Sequence, residues 1–226
     1  MNYFAHGRSF VDDPYFLTGT AVPDWLSVVD RGMRAKSKSA KLYLDHDDRR
    51  VSALAAGIVR HHHDDRWFHR TRAFAELSLQ FTERVRDVLP GDDGFRPSFL
   101  GHILVELLLD AELIAEAPDR LDAYYAAFDQ IDVQFVADTI NSMATRRSDR
   151  LAGLIPVFCS QRFLYDYVQD EKLLWRLNHV MRRVKLPRLP DRFLDILPDA
   201  RQCVHERRGE LLVGHEDHRD EQEKET

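Results

Sequence analysis

Along most of this chain apolar residues return at every third or fourth position, the interval that gathers them on one face of an α-helix. Leu54, Ile58, His61, Asp65, Phe68 and His69 keep that spacing, so a helix is expected over 49–68 with a face that mixes apolar, imidazole and carboxylate groups. Phe74, Leu77, Phe81, Val85 and Leu89 repeat the period up to the turn at Pro90-Gly91. The segment 99–116 is apolar on nearly every side and reads as a central helix, with Ser98 as its N-cap. Pro118-Asp119 then opens a long amphipathic helix through Tyr124, Phe128, Ile131, Phe135 and Ile140. Further helices are expected over 151–167, 172–184 and 191–206, and 41–44 is the one weak strand candidate. Glycines and prolines, among them Pro14, Gly19, Pro23 and Pro156, are read as marks of junctions. The fold class implied is all-α, a single helical bundle of about 7–9 helices.

Composition narrows this picture. The 226 residues suffice for one substantial core, assigned to 1–206, and from Arg207 the sequence turns charged and loses its large apolar residues, so 207–226 is expected to be a disordered tail. Apolar residues make up 44% and charged residues 31%, and no apolar run approaches the roughly 20 residues that cross a bilayer. The opening lacks the basic region and long apolar run of a secretory signal, so the expectation is a cytoplasmic protein. Cys159 and Cys203 fall in no metal-ligand or redox spacing and are expected to be reduced and structural. A formal charge of −6 argues against general nucleic-acid binding.

The chemistry concentrates in the histidines. Six of the eleven stand at His6, His61, His62, His63, His69 and His102, accompanied by acids. Residues four apart on a helix share a side about 6 Å apart along the axis, so His61 with Asp65, and His102 with Glu106, are pairs suited to a divalent metal. Each row continues one turn, to His69 and to Asp110. His61 and His69 would be about 12 Å apart along a straight helix, so either two metals are held or the outer residues orient ligands and bind substrate. The His61/Asp65 pair alone is equally compatible with a surface or core-satisfied role. Carboxylates in the Leu- and Val-rich 99–116 segment are harder to explain without a metal, a structural ion pair with an arginine being the alternative. Three consecutive histidines cannot all face one core, so His62, His63 and Asp64 are expected in solvent. Asp45-His46-Asp47-Asp48 reads as helix capping and Cys159 as a small core residue. No phosphate-binding glycine loop or nucleophile elbow is present.

Met1-Asn2-Tyr3-Phe4-Ala5-His6 resembles the start of bacterial acyl carrier protein phosphodiesterases, within the HD-type metal-dependent phosphohydrolases. Gly19-Thr20-Ala21-Val22-Pro23-Asp24-Trp25 looks like the family's Gly-Asn-x-x-x-Asp-aromatic segment. Gly57-Ile58-Val59-Arg60-His61-His62-His63-Asp64-Asp65 is similar to its Gly-Ile-x-x-His-Arg-x-x-Asp segment. Phe163-Leu164-Tyr165-Asp166-Tyr167 and Leu177 to Arg183 resemble its later motifs, so the order extends over about 180 residues. Two departures stand out: the central Asp-x-x-x-Asp-His becomes His102-Ile103-Leu104-Val105-Glu106-Leu107, and another family aspartate becomes His69.

The resemblance implies an HD-domain-like fold and phosphodiester hydrolysis, with release of 4′-phosphopantetheine from acyl carrier protein as the specific reaction. On that reading His6, Asp24, His61, Asp65, His102 and Glu106 surround one or two divalent metals (manganese, iron or zinc) and Asp65 or Glu106 is the catalytic base. Arg60 and Arg66 would hold the phosphate, and His69 and Asp110 would stand behind the ligands. The partners implied are acyl carrier protein or a small phosphodiester. A noncatalytic helical binding or scaffold protein and a zinc-dependent phospholipase C-like enzyme are the competing readings.

Overall fold

A computed structural model of the chain describes residues 1–30, 32–89, 91 and 94–213. Among the described residues there is no strand, and the all-α expectation holds. The α-helices are α1 (Tyr3–Gly7), α2 (Pro14–Val29), α3 (Ser37–Ala40), α4 (Arg49–Phe68), α5 (Arg72–Val88), α6 (Pro97–Glu116), α7 (Pro118–Phe128), α8 (Val133–Met143), α9 (Leu151–Gln161), α10 (Asp170–Val184) and α11 (Leu197–Leu212). None is long and apolar enough to cross a membrane. The chain groups into two compact units. The first comprises Met1, Tyr3–Arg66 and Ala117–Phe163. The second comprises Asn2, Trp67–Glu116 and the described residues from Leu164 onward.

In the first unit α2 packs on α1, α7 and α9, and α8 packs on α9. Phe4, Leu17, Trp25, Leu54, Ile58, Tyr124 and Phe128 are buried there, each apolar side chain contributing roughly 1.5–3 kcal/mol. The backbones of α2 and α4 meet directly. A Cβ on Gly57 would strike the Phe16 carbonyl oxygen and come within 2.8 Å of Gly19 Cα, and a Cβ on Gly19 would strike the Leu54 carbonyl oxygen. Gly19 therefore sits inside a helix because a neighbouring helix needs the space, not because the chain turns there. Pro23 and Pro156 likewise lie inside α2 and α9. Having no N–H, Pro23 withholds the intrahelical hydrogen bond from the Gly19 carbonyl and loosens α2 at that point.

In the second unit α5 and α6 form the main pair, α11 packs on both, and a 3-10 turn at Asp191–Ile196 packs on α5 and α10. Phe68, Leu77, Phe81, Leu104, Leu108, Leu177 and Phe193 fill its interior. Instead of ending at 206, α11 continues to Leu212. Arg207 pairs with Glu76 and Arg208 with Glu116, each at 2.7 Å, while Leu211 is buried, and together these hold the last turn down. Residues 214–226 of the expected tail lie outside the described residues.

The other differences have local causes. The long helix expected from Pro118 breaks in two because the Asp132 carboxylate accepts the Phe135 N–H at 3.0 Å, capping a new helix. The helix expected over 151–167 ends at Arg162, whose φ of 42° is left-handed, and a 3-10 turn follows. The strand candidate at 41–44 is a 3-10 turn over Lys41–Tyr43. Pro97 rather than Phe99 begins α6, so Ser98 lies in its first turn. The capping role given to the Asp45–Asp48 run falls to Asp48, whose carboxylate accepts the Arg50 N–H at 2.9 Å. Both cysteines are free thiols; the Cys159 thiol is pushed up to about 11, chiefly by burial, which suits an inert packing residue.

Candidate metal centres

Three potential ligands converge in the first unit. His6 comes from α1, and His61 and Asp65 come from successive turns of α4. One ligand atom from each lies within 4.8 Å of the others. His6 Nε2 stands 3.3 Å from Asp65 Oδ1, and His61 Nε2 stands 3.4 Å from Asp65 Oδ2. Ligands about 2.1 Å from a tetrahedral ion stand roughly 3.4 Å from one another, so this spacing fits a divalent metal. The two imidazoles stack with centroids 4.1 Å apart and an angle of 28°.

Orientation supports the same reading. His61 Nδ1 lies 2.8 Å from the Thr20 carbonyl oxygen, to which it donates its N–H, so Nε2, the nitrogen facing Asp65, is the ring's ligand atom. That carbonyl is in place because α2 and α4 touch at Gly19 and Gly57, one helical turn before His61. His6 is fully buried, and neither of its ring nitrogens has an aligned hydrogen-bond partner among the described residues. Its nearest acidic oxygens are those of Asp65 at 3.3 Å and Asp64 at 3.6 Å.

The electrostatics are strongly coupled. Burial lowers the pKa of His6, but the carboxylates of Asp64 and Asp65 outweigh it and push the group up to about 9. Burial raises Asp65, yet His6, His61 and the Met1 ammonium, 2.9 Å away, hold its carboxyl well below the usual carboxylate range. In the metal-free chain the His6 contribution to stability is therefore complete below its unfolded value of 6.5 and is lost as pH rises through about 9. The thermal midpoint of chelator-treated protein, followed by circular dichroism, should fall over that window, and His6→Gln should flatten the fall. An unchanged slope in His6→Gln would contradict this origin.

In the second unit His69, His102 and Glu106 form another three-ligand group, again with ligand atoms within 4.8 Å of each other. His69 follows the end of α4, where the Thr71 hydroxyl caps α5 by accepting the Phe74 N–H at 3.2 Å. His102 and Glu106 are one turn apart on α6. Glu106 Oε1 lies 2.9 Å from His69 Nε2 and 3.3 Å from His102 Nε2. Phe74 packs against both imidazoles, each at 4.8 Å between centroids. Burial raises the Glu106 carboxyl, and its hydrogen bonds with His102 and His69 help hold it below the usual carboxylate range.

The expected site residues are thus distributed unevenly. His6, His61 and Asp65 come together, as do His69, His102 and Glu106, so His69, expected behind the ligands, stands in a group that could hold a metal. Asp24, on α2, belongs to neither group. Asp110 is wholly buried on α6. Arg60 is engaged with Asp64 at 2.7 Å, whereas Arg66 is exposed and has no ion pair among the described residues. Asp64, expected in solvent, is 2% exposed and lies 3.6 Å from His6 Nδ1. It stands three positions after His61 and so shares a face with it, a signal available from spacing alone. His62 turns its Nε2 to the Ala35 carbonyl at 2.7 Å, and burial lowers its pKa, while His63 is exposed. Compared with protein-family models, curated proteins and solved structures, the chain gives no match.

Proposed function

We propose that this chain is a metal-dependent phosphodiester hydrolase whose divalent cation is held by His6, His61 and Asp65. The observation that carries the reading is the convergence of those three side chains, with His61 Nε2 freed for a ligand role by the Thr20 carbonyl. Three protein ligands leave coordination positions for water and substrate, the pattern of catalytic rather than structural sites. A bound divalent ion would supply Lewis-acid polarisation of the phosphoryl oxygen and acidify a water.

The residues around the ligands divide the remaining tasks. Asp65, its oxygens 3.3 and 3.4 Å from His6 Nε2 and His61 Nε2, suits a ligand role. Arg60 is committed to Asp64, and that pair fixes a carboxylate beside His6. Arg66, exposed and without an ion pair among the described residues, is a cation available to a phosphate. The finer reading, release of 4′-phosphopantetheine from acyl carrier protein in the cytoplasm, rests on the resemblance at Met1–His6 and Gly57–Asp65. One observation favours a different reading: the Met1 ammonium 2.9 Å from Asp65, and His6 at 3.3 Å from Asp65 and 3.6 Å from Asp64, can also stand as a structural ion cluster in a noncatalytic protein.

Turnover of an aryl phosphodiester separates the two. The reading expects activity that disappears on chelation, returns with manganese or zinc, and is absent in Asp65→Ala at unchanged helical content. Full activity in chelated protein or in Asp65→Ala would remove the assignment. Holo acyl carrier protein is then the substrate to compare with a phospholipid vesicle.

A further inference from the structure

The second unit contains a cluster of potential metal ligands that the proposed hydrolytic site does not use. His69 reaches it from the turn after α4, and His102 and Glu106 from one face of α6. Both Nε2 atoms address the same carboxylate oxygen, at 2.9 and 3.3 Å. As a purely organic arrangement this requires both imidazoles to carry their proton on Nε2 and share one acceptor. A divalent cation replaces those protons with one charge that satisfies all three groups. The separations bracket the roughly 3.4 Å expected between ligands of a tetrahedral ion.

Support for the rings comes from packing. Phe74 is buried and held by the cap at Thr71, and it presses on His69 and His102 alike, each centroid 4.8 Å away. The imidazoles are themselves 4.9 Å apart at 37°. Such a clamp limits the rotation of both side chains and lowers the entropy lost when they bind a ligand. Access is open: the His102 side chain is 46% exposed, His69 33% and Glu106 17%, so water can complete the coordination and the ion can exchange.

We propose that the second unit carries its own metal centre, built from His69, His102 and Glu106, that takes an imidazole-preferring divalent cation of the zinc class. Two imidazoles and one carboxylate are a donor set that favours zinc over magnesium or calcium, which take oxygen ligands. The three side chains all belong to the second unit, and the proposal does not depend on the hydrolytic reading of His6, His61 and Asp65.

Zinc stoichiometry of the full chain tests it, measured by elemental analysis after stripping with chelator, loading with zinc and dialysis. Wild type should hold two equivalents, His102→Ala one and His61→Ala one, with helical content unchanged by circular dichroism. Cobalt loading gives a second readout, because visible absorption bands from the second centre should be lost in His102→Gln and kept in His61→Ala. One equivalent in both wild type and His102→Ala would overturn the second centre while leaving the first. Two equivalents retained in His102→Ala would overturn its ligand set, and loss of both in His102→Ala would overturn its independence. No zinc in wild type would overturn this centre, and no manganese either would overturn the hydrolytic reading with it.

Discussion

His61→Ala is expected to lower kcat/KM for the proposed metal-dependent phosphodiester hydrolysis by more than about 100-fold, the upper range for removing even an indirect metal partner. The neighbouring histidines provide the contrast. His62 spends its Nε2 on the Ala35 carbonyl and His63 is exposed, so His62→Ala and His63→Ala should each keep activity within about threefold. The His62 change should still lose its hydrogen bond and about 1 kcal/mol of stability. Chemically these three residues are identical; only the Thr20 carbonyl and the position of His6 select His61. Steady-state kinetics on the three variants, with manganese in excess, measures the contrast. Equal losses in all three would mean that the polyhistidine run acts through general stability instead.

Gly57→Ala should cost roughly 1–3 kcal/mol of folding stability, as overpacking does, although alanine at an open helical position is favoured over glycine by about 1 kcal/mol. The sign reverses because the new Cβ would collide with the Phe16 carbonyl oxygen and crowd Gly19. Separating α2 from α4 would also withdraw the Thr20 carbonyl from His61 Nδ1, so metal affinity should fall along with stability. Gly153→Ala on α9 meets nothing within 4 Å and should be neutral or stabilising. Urea titrations of both variants, each with and without zinc, give the two effects separately. A Gly57→Ala protein as stable as wild type would show that the helices part without consequence.

Periodicity made the helices legible where they carry a broad apolar face. The spacing of Leu54, Ile58, His61, Asp65 and Phe68 leads directly to α4, and the apolar run from Phe99 leads to the buried α6. Breaks within amphipathic stretches were less legible, because Asp132 is an ordinary helical residue by pattern and becomes a stop only when its carboxylate captures the Phe135 N–H. Gly19 was misleading as punctuation, since its reason for being glycine lies on α4, 38 positions later at Gly57.

The candidate ligands were legible in kind and less so in grouping. Helical spacing links His61 to Asp65 and His102 to Glu106, yet it is silent on which residue from another element completes each set. His6 and His69 enter through α1 and through the turn before α5, placements that follow from packing rather than from local sequence. The burial of Asp64 could have been read from its offset of three from His61. The run of histidines before it drew attention to hydration instead.

The central claim is that His6, His61 and Asp65 hold a divalent metal. Elemental analysis of the purified full chain beside His61→Ala, both after loading with manganese or zinc and dialysis, tests it most directly. The expected result is one equivalent of metal fewer in the variant than in the wild type, at equal helical content. A wild-type chain that retains no metal, or a His61→Ala chain that retains as much as the wild type, would contradict it.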